Sequence, residues 1–187
     1  MIPVIELVAS LRYELGDMNG LNISDCEIFD AINRAVGLLY GALSESFVQV
    51  ALKRLPIEID STKMYSLPSD FVRVHQLVFG NPEIMKPSSL NPPEKVSYRV
   101  VGRELFADEG SYTLEYYYQP YRIRELDDLL DVPEAMRMWV EQVALSLYRK
   151  DSPKAEYLVQ RCESTFASRE VSHFEDSGPA QVLGGSV

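Results

Sequence analysis

The chain is poor in the residues from which most catalytic and metal centres are made. Its 187 residues include two cysteines, Cys26 and Cys162, and two histidines, His75 and His173. Two thiols, each inside a helical pattern, exclude a disulfide-stapled secreted fold and read as reduced, buried side chains of an intracellular protein. None of these four residues stands at paired ligand spacing, which excludes a zinc finger. His75 lies in a strand pattern and reads as a structural histidine. His173 lies in the C-terminal tail, so neither supplies the oriented base of a serine triad. No GxxxxGK[ST] or GxGxxG occurs, and with them goes any phosphate-cradling loop.

Positive charge is also scarce. Eighteen Lys and Arg stand against 28 Asp and Glu, a net charge of −10. Gripping nucleic acid through its phosphates requires clustered cations, so that class of function is excluded. Acidic walls do suit a protein that DNA slides past without sticking. No apolar run approaches the roughly 18 residues of a membrane span. The start, Met1-Ile-Pro-Val-Ile-Glu6, has neither the basic nor the long apolar region of a signal peptide. A soluble, cytoplasmic chain is the expectation. No repeat or low-complexity block interrupts it.

What is present is a 46% hydrophobic content, enough for one domain with a sub-domain. Pro3 opens a helical pattern through Val4, Val8, Leu11 and Leu15, which the stretch from Gly16 to Gly20 breaks. Ser24 with Glu27 three residues on makes a capping box, and Ile23 and Ile28 are placed as a hydrophobic staple. Ile28, Ile32, Ala35, Val36, Leu39 and Leu43 continue one face. Gly37 and Gly41 lie four apart and read as a site of tight packing.

From about Leu55 the period becomes two: Leu55, Ile57 and Ile59 alternate with Pro56, Glu58 and Asp60. Asp60-Ser-Thr-Lys63 reads as a turn, Phe71 to Phe79 as a strand, and the proline-rich Asn81 to Pro93 as a loop. Val96, Tyr98 and Val100 mark another strand, and Tyr112, Leu114, Tyr116 and Tyr118 line one face of the last. The middle is expected to be a small antiparallel meander, its tyrosines used for core and interface.

The acidic Glu125-Leu-Asp-Asp-Leu-Leu-Asp131 leads into Val132-Pro-Glu-Ala-Met-Arg-Met-Trp139, with Pro133 and Glu134 suited to a first helical turn. Met136, Trp139, Val140, Val143, Ala144 and Leu147 form one apolar stripe, while Met138, Leu145 and Tyr148 fall nearly opposite. That second face meets either the rest of its own domain or another subunit. Ser152-Pro153 reads as N-cap and first position of a further helix buried through Ala155, Leu158, Cys162 and Phe166. Beyond about Val171 the pattern stops, and a tail with three glycines and a proline buries too little to order itself.

Asp127, Asp128, Asp131 and Glu134 could hold a hard cation, but they lack the DxDxDG spacing and turn glycine of a calcium loop and read as a solvated lead-in. Asn22-Ile-Ser24 matches a glycosylation sequon by chance, since Ser24 is accounted for as a cap. No enzyme and no cofactor are expected.

Taken in order, four segments resemble the phage head-to-tail adaptor family, the connectors beneath the portal that include the tail-tubular adaptor of short-tailed phages. They are Ser24-Asp-Cys-Glu-Ile-Phe-Asp-Ala-Ile-Asn-Arg34, Tyr65-Ser-Leu-Pro-Ser-Asp-Phe71, Tyr116-Tyr-Tyr-Gln-Pro120 and Val132-Pro-Glu-Ala-Met-Arg-Met-Trp-Val140. Their order and spacing over most of residues 1 to 170 carry the likeness, and within it Asp70 suits a turn whose backbone amides it would cap while Phe71 points inward.

The resemblance implies a non-enzymatic virion protein, assembled in the host cytoplasm and placed in the neck between capsid and tail. It implies a homo-oligomeric, dodecameric ring that binds the portal protein, receives a tail or nozzle protein and lets DNA through its lumen without specific binding. It also implies an extended C-terminal arm on the portal, for which Phe174, Val182 and Leu183 are the available anchors. Met138, Leu145 and Tyr148 are the candidate subunit contacts. The expected fold is α+β: a helical bundle formed by both termini (1–54 and 121–170), an inserted small antiparallel β-meander (55–120) and an arm (171–187). A tail-completion or nozzle component is the alternative from the same setting, and a metal-dependent hydrolase built on Asp127, Asp128 and Asp131 the alternative from another class.

Overall fold

The computed structural model describes residues 1–46, 48–79, 83–87 and 97–175. Ile2–Pro3 (β1) pairs antiparallel with Leu129–Leu130 (β9), pinning the N-terminus to the acidic lead-in. Pro3 is the N-cap of α1 (Val4–Leu15) rather than part of its first turn. The Val4 N–H, which has no helical acceptor, donates to the Asp128 carbonyl at 3.1 Å. Gly16 ends α1 in the left-handed region, φ 71°. The next turn winds around buried Asp17, whose carboxylate accepts the N–H groups of Leu21, Asn22 and Ile23 and the Arg12 guanidinium at 2.8 Å.

The capping box forms as expected at α2 (Asp25–Glu45): the Glu27 N–H donates to Ser24 Oγ at 3.3 Å, and the Ser24 N–H to Glu27 Oε2 at 2.9 Å. Ile28, Ile32, Ala35, Val36, Leu39 and Leu43 are all buried. Gly37 and Gly41 are not packing sites. A Cβ at either would meet nothing within 4 Å.

A 3-10 turn at Gln49–Ala51 leads into β2 (Leu52–Ile59), followed by β3 (Met64–Ser66), β4 (Phe71–Phe79), β5 (Glu83–Pro87), β6 (Ser97–Val101), β7 (Glu104–Phe106) and β8 (Gly110–Tyr118). They form a seven-stranded sheet in the order β2-β8-β4-β5-β6-β7-β3. All ladders are antiparallel except a short parallel pairing of β5 with β6. The outer strands β2 and β3 are consecutive in the chain and joined by the expected turn at Asp60 to Lys63, so the sheet curls until its two edges adjoin. After β9, Pro133 caps a 3-10 turn at Glu134–Met136 that runs into α3 (Arg137–Tyr148). α4 (Ser152–Glu175) follows. Its cap is Asp151, whose carboxylate accepts the Lys154 N–H at 3.2 Å, so the start expected at Ser152 moves back one residue.

The strand content fits an α+β chain, but the expected helical bundle of both termini carrying a small inserted meander is overturned, while residues 176–187 of the expected arm lie outside the described residues. The sheet is no sequential meander: β8 inserts between β2 and β4, where Leu114 lies opposite Leu55 on one side and Leu77 on the other. Residues Leu114 to Tyr118 are all buried, which demands a neighbour strand on each edge and cover on each face. One hydrophobic cluster runs from Ile2, Leu39 and Tyr40 through Tyr118 and Leu114 to Leu105. Helices and sheet therefore share one hydrophobic cluster among the described residues. α4 also takes in the first residues expected of the arm, continuing past Val171 to Glu175.

Candidate functional site

A polar cluster lies where α2, the sheet and the lead-in to α3 meet. Lys53, at the start of β2, donates to Asp70 Oδ2 at 2.8 Å and to Asp131 Oδ2 at 2.6 Å, and its Nζ lies 4.0 Å from the centre of the Tyr118 ring. Tyr116 donates to Asp70 Oδ1 at 3.2 Å. Tyr118 donates its one proton to the Asp131 carbonyl at 3.1 Å, so in the Tyr40–Tyr118 contact at 3.1 Å the donor is Tyr40.

Burial pulls the Lys53 pKa down, but the bonds to Asp131 and Asp70 outweigh it and hold the ammonium above its ordinary value. Burial, then the Asp70 charge, pushes Tyr116 up to about 12. Burial likewise raises Tyr40 and Tyr118. The single ammonium of Lys53 is shared by two carboxylates, and the phenols stay protonated at neutral pH. The cluster joins three segments, β2, the Asp70 turn and the lead-in to α3. Asp70 thus serves Lys53 and Tyr116 with its carboxylate, not the backbone amides of its own turn, and Phe71 is only half-buried.

The acidic lead-in is dispersed among separate tasks. Asp128 accepts the N–H groups of Arg124 and Glu125, Asp131 binds Lys53, and Glu134 binds Arg137. Among the described residues no group of His, Cys, Asp and Glu converges to hold a metal ion, and no helix is long and apolar enough to cross a membrane. His75 is exposed on β4, its ring edge-on to Tyr117 with centroids 5.6 Å apart. Cys26 is exposed in the first turn of α2, contrary to the expectation of a buried thiol. Cys162 is buried, 4.0 Å from the Met136 sulfur, and burial pushes its thiol up to about 12.

Of the expected stripe, Met136 in the 3-10 turn and Trp139, Val140, Val143 and Ala144 on α3 are buried, while Leu147 is only half-buried. The opposite face does not form one surface. Met138, 52% exposed, and half-buried Leu145 line a groove of about 380 Å³ between α1 and α3, with Leu11 and Glu14. Tyr148 lines a different groove, beside Cys26, Ala31 and Leu147. Phe174 falls in the last turn of α4, while Val182 and Leu183 lie outside the described residues.

A further groove escaped the sequence reading. Ile5 and Ala9 of α1, Met18 of the following turn and Leu126 of the lead-in surround an open volume of about 450 Å³, with Arg12 and Asp25 beside them. The available signal was Ile5, an apolar residue off the buried stripe of α1, next to Met18 and Leu21 in an otherwise polar turn. Compared with known proteins, the chain matches no family model and has no significant match among curated proteins.

Proposed function

We propose that the chain is a structural virion protein, a head-to-tail adaptor that forms a ring under the portal, prolongs the DNA channel and offers the tail its platform. The reading rests on the ordered resemblance of four segments. The observation that carries it is where the apolar surface lies. Ile5, Met18, Leu21, Leu129 and Met138 stand exposed on α1, its turn, β9 and α3, and Val72, Phe79, Ile84 and Val101 on the sheet. Surface of this kind serves contact with protein.

In this reading Met138, Leu145 and Tyr148 meet neighbouring copies, and the segment from Val171 onward, with Phe174, Val182 and Leu183, reaches the portal. The net charge of −10 keeps DNA moving through the lumen unbound. The free subunit is monomeric or weakly associated, because ordering an arm is offset only when a surface receives it.

The test is to mix the purified chain with its portal and image the product. A ring on the portal is expected, together with loss of docking but not of folding when the chain stops at Glu170. A truncated chain that docks normally removes the arm from the account. Tight duplex binding by the isolated protein at low salt removes the acidic lumen.

A further inference from the structure

Two strands of the sheet run on past the shorter strand between them. β5 pairs with β4 only from Leu77 to Phe79 and with β6 only at Ser97 and Tyr98, and it stops at Pro87. Beyond that point, among the described residues, the start of β4 pairs only with β8 and the end of β6 only with β7, each on its outer side. A notch of about 670 Å³ opens between them, lined by Phe71, Val72 and Val74 of β4, Tyr98 and Val100 of β6, and Pro87. Strands that flank a third stand about 10 Å apart, twice the spacing of direct neighbours, so the notch has the width of one inserted segment.

The charge of the notch is the reverse of the chain's. Arg73 and Arg99 line it, and its described lining has no Asp or Glu. Arg73 lies over the Tyr117 ring, 5.0 Å from its centre. Arg99 forms no ion pair with any described residue. Copies of a chain with net charge −10 repel one another unless such a patch meets an acidic one.

The acidic lead-in supplies the complement. Glu125 and Asp127 are exposed, form no ion pair with any described residue, and stand on either side of Leu126, itself 37% exposed. Asp128 holds this turn by accepting the N–H groups of Arg124 and Glu125, so its tip is presented already ordered. The turn cannot fill the notch of its own chain. Leu126 lies with Asp25 at the start of α2. Phe71 packs against Tyr116, two residues from Tyr118, whose partner Tyr40 is about 22 Å further along that helix.

We infer that the notch receives the Glu125-Leu126-Asp127 turn of a second copy, with Leu126 entering between β4 and β6 and the flanking carboxylates meeting Arg99. The inference rests on the adaptor reading for the ring and adds a pair of surfaces that joins its copies. Made in one direction from copy to copy, the contact leaves an empty notch at one end and a free turn at the other until the ring closes.

The test assembles rings on the portal from wild-type chain, from Arg99→Glu, from Glu125→Arg/Asp127→Arg and from chain carrying all three substitutions, each first checked for the wild-type thermal midpoint. The one-sided variants should need a roughly tenfold or greater rise in concentration to form rings. The chain with both sides reversed should recover to within roughly threefold of wild type, since a fault of folding at one place is not repaired by a change at the other. A second measurement decides the matter should a charge variant not fold. In a Cys26→Ser background, Val72→Cys/Leu126→Cys rings oxidised and then dissociated should run as a ladder of covalent multimers, and each cysteine substitution alone as monomer. One-sided variants that assemble as wild type does, or an oxidised pair that gives only monomers or dimers, overturn the inference and leave the adaptor reading intact. Failure of wild-type chain to form any ring on the portal overturns that reading, and the inference with it.

Discussion

Tyr40 of α2 and Tyr118 of β8 meet edge to face, ring centroids 5.2 Å apart at 69°, with their hydroxyls 3.1 Å apart. This pair fastens the helices to the centre of the sheet. The Tyr40 proton bridges the two hydroxyls, and the Tyr118 proton goes to the Asp131 carbonyl, so ionising Tyr40 breaks the bridge and ionising Tyr118 breaks the tie to the lead-in.

Alkaline instability follows. Tyr40, Tyr116 and Tyr118 have pKa values raised above the ordinary 10.0, by burial first. The folded state therefore holds protons that the unfolded chain releases. The stability they contribute is complete below about pH 10 and is lost as pH rises toward the folded values. Lys53, also raised, acts in the same direction. Thermal melts between pH 8 and 12 should show the midpoint falling steadily above pH 10, and less steeply in Tyr40→Phe. A midpoint flat to pH 12 would contradict the buried network.

Replacing Lys53 by methionine leaves Asp70 buried without its cation. A fully buried pair broken in this way costs about 3–5 kcal/mol, and the partial exposure of Lys53 reduces the expectation to about 2 kcal/mol. Urea titration measures it. A loss below about 0.5 kcal/mol would place the joint's strength in the tyrosines alone.

The two thiols should differ sharply. Native protein treated with an aromatic disulfide reagent at pH 8 should react rapidly at one site, Cys26. Cys162, buried and with its thiol pushed up to about 12, should react only on unfolding. Two fast equivalents would show α4 opening away from α3.

The start of α4 gives a local test. Asp151→Ala should cost about 1 kcal/mol, the usual worth of an N-cap, while Ser152→Ala should cost a few tenths at most. The reverse ranking would restore Ser152 as the cap.

Short-range features were legible in the sequence because short-range chemistry makes them. The Ser24–Glu27 box, the turn at Asp60, the strand Phe71–Phe79 and the stripe from Met136 to Ala144 each depend on residues a few places apart. The insertion of β8 between β2 and β4 was not legible, since alternation along a strand says which face is buried but not which strand lies beside it. Asp70 was misassigned for the same reason, as its partners Lys53 and Tyr116 are 17 and 46 residues away. Cys26 was misread because a thiol in the first turn of a helix carries no mark of the side it faces. Ile5 could have been noticed, being apolar where the helical stripe has no use for it.

The turn at Asp60 to Lys63 brings β2 and β3, the two edges of the sheet, beside one another, and the longer edge, β2, carries Lys53, Arg54 and Pro56, residues that resist edge-to-edge pairing. Identical chains crowded side by side at high local concentration then meet an edge that is charged and interrupted by a proline, a poor template for zipping into fibrils. Recognition between copies falls to side chains, so their association can be tuned or reversed by single substitutions without any strand leaving its own sheet.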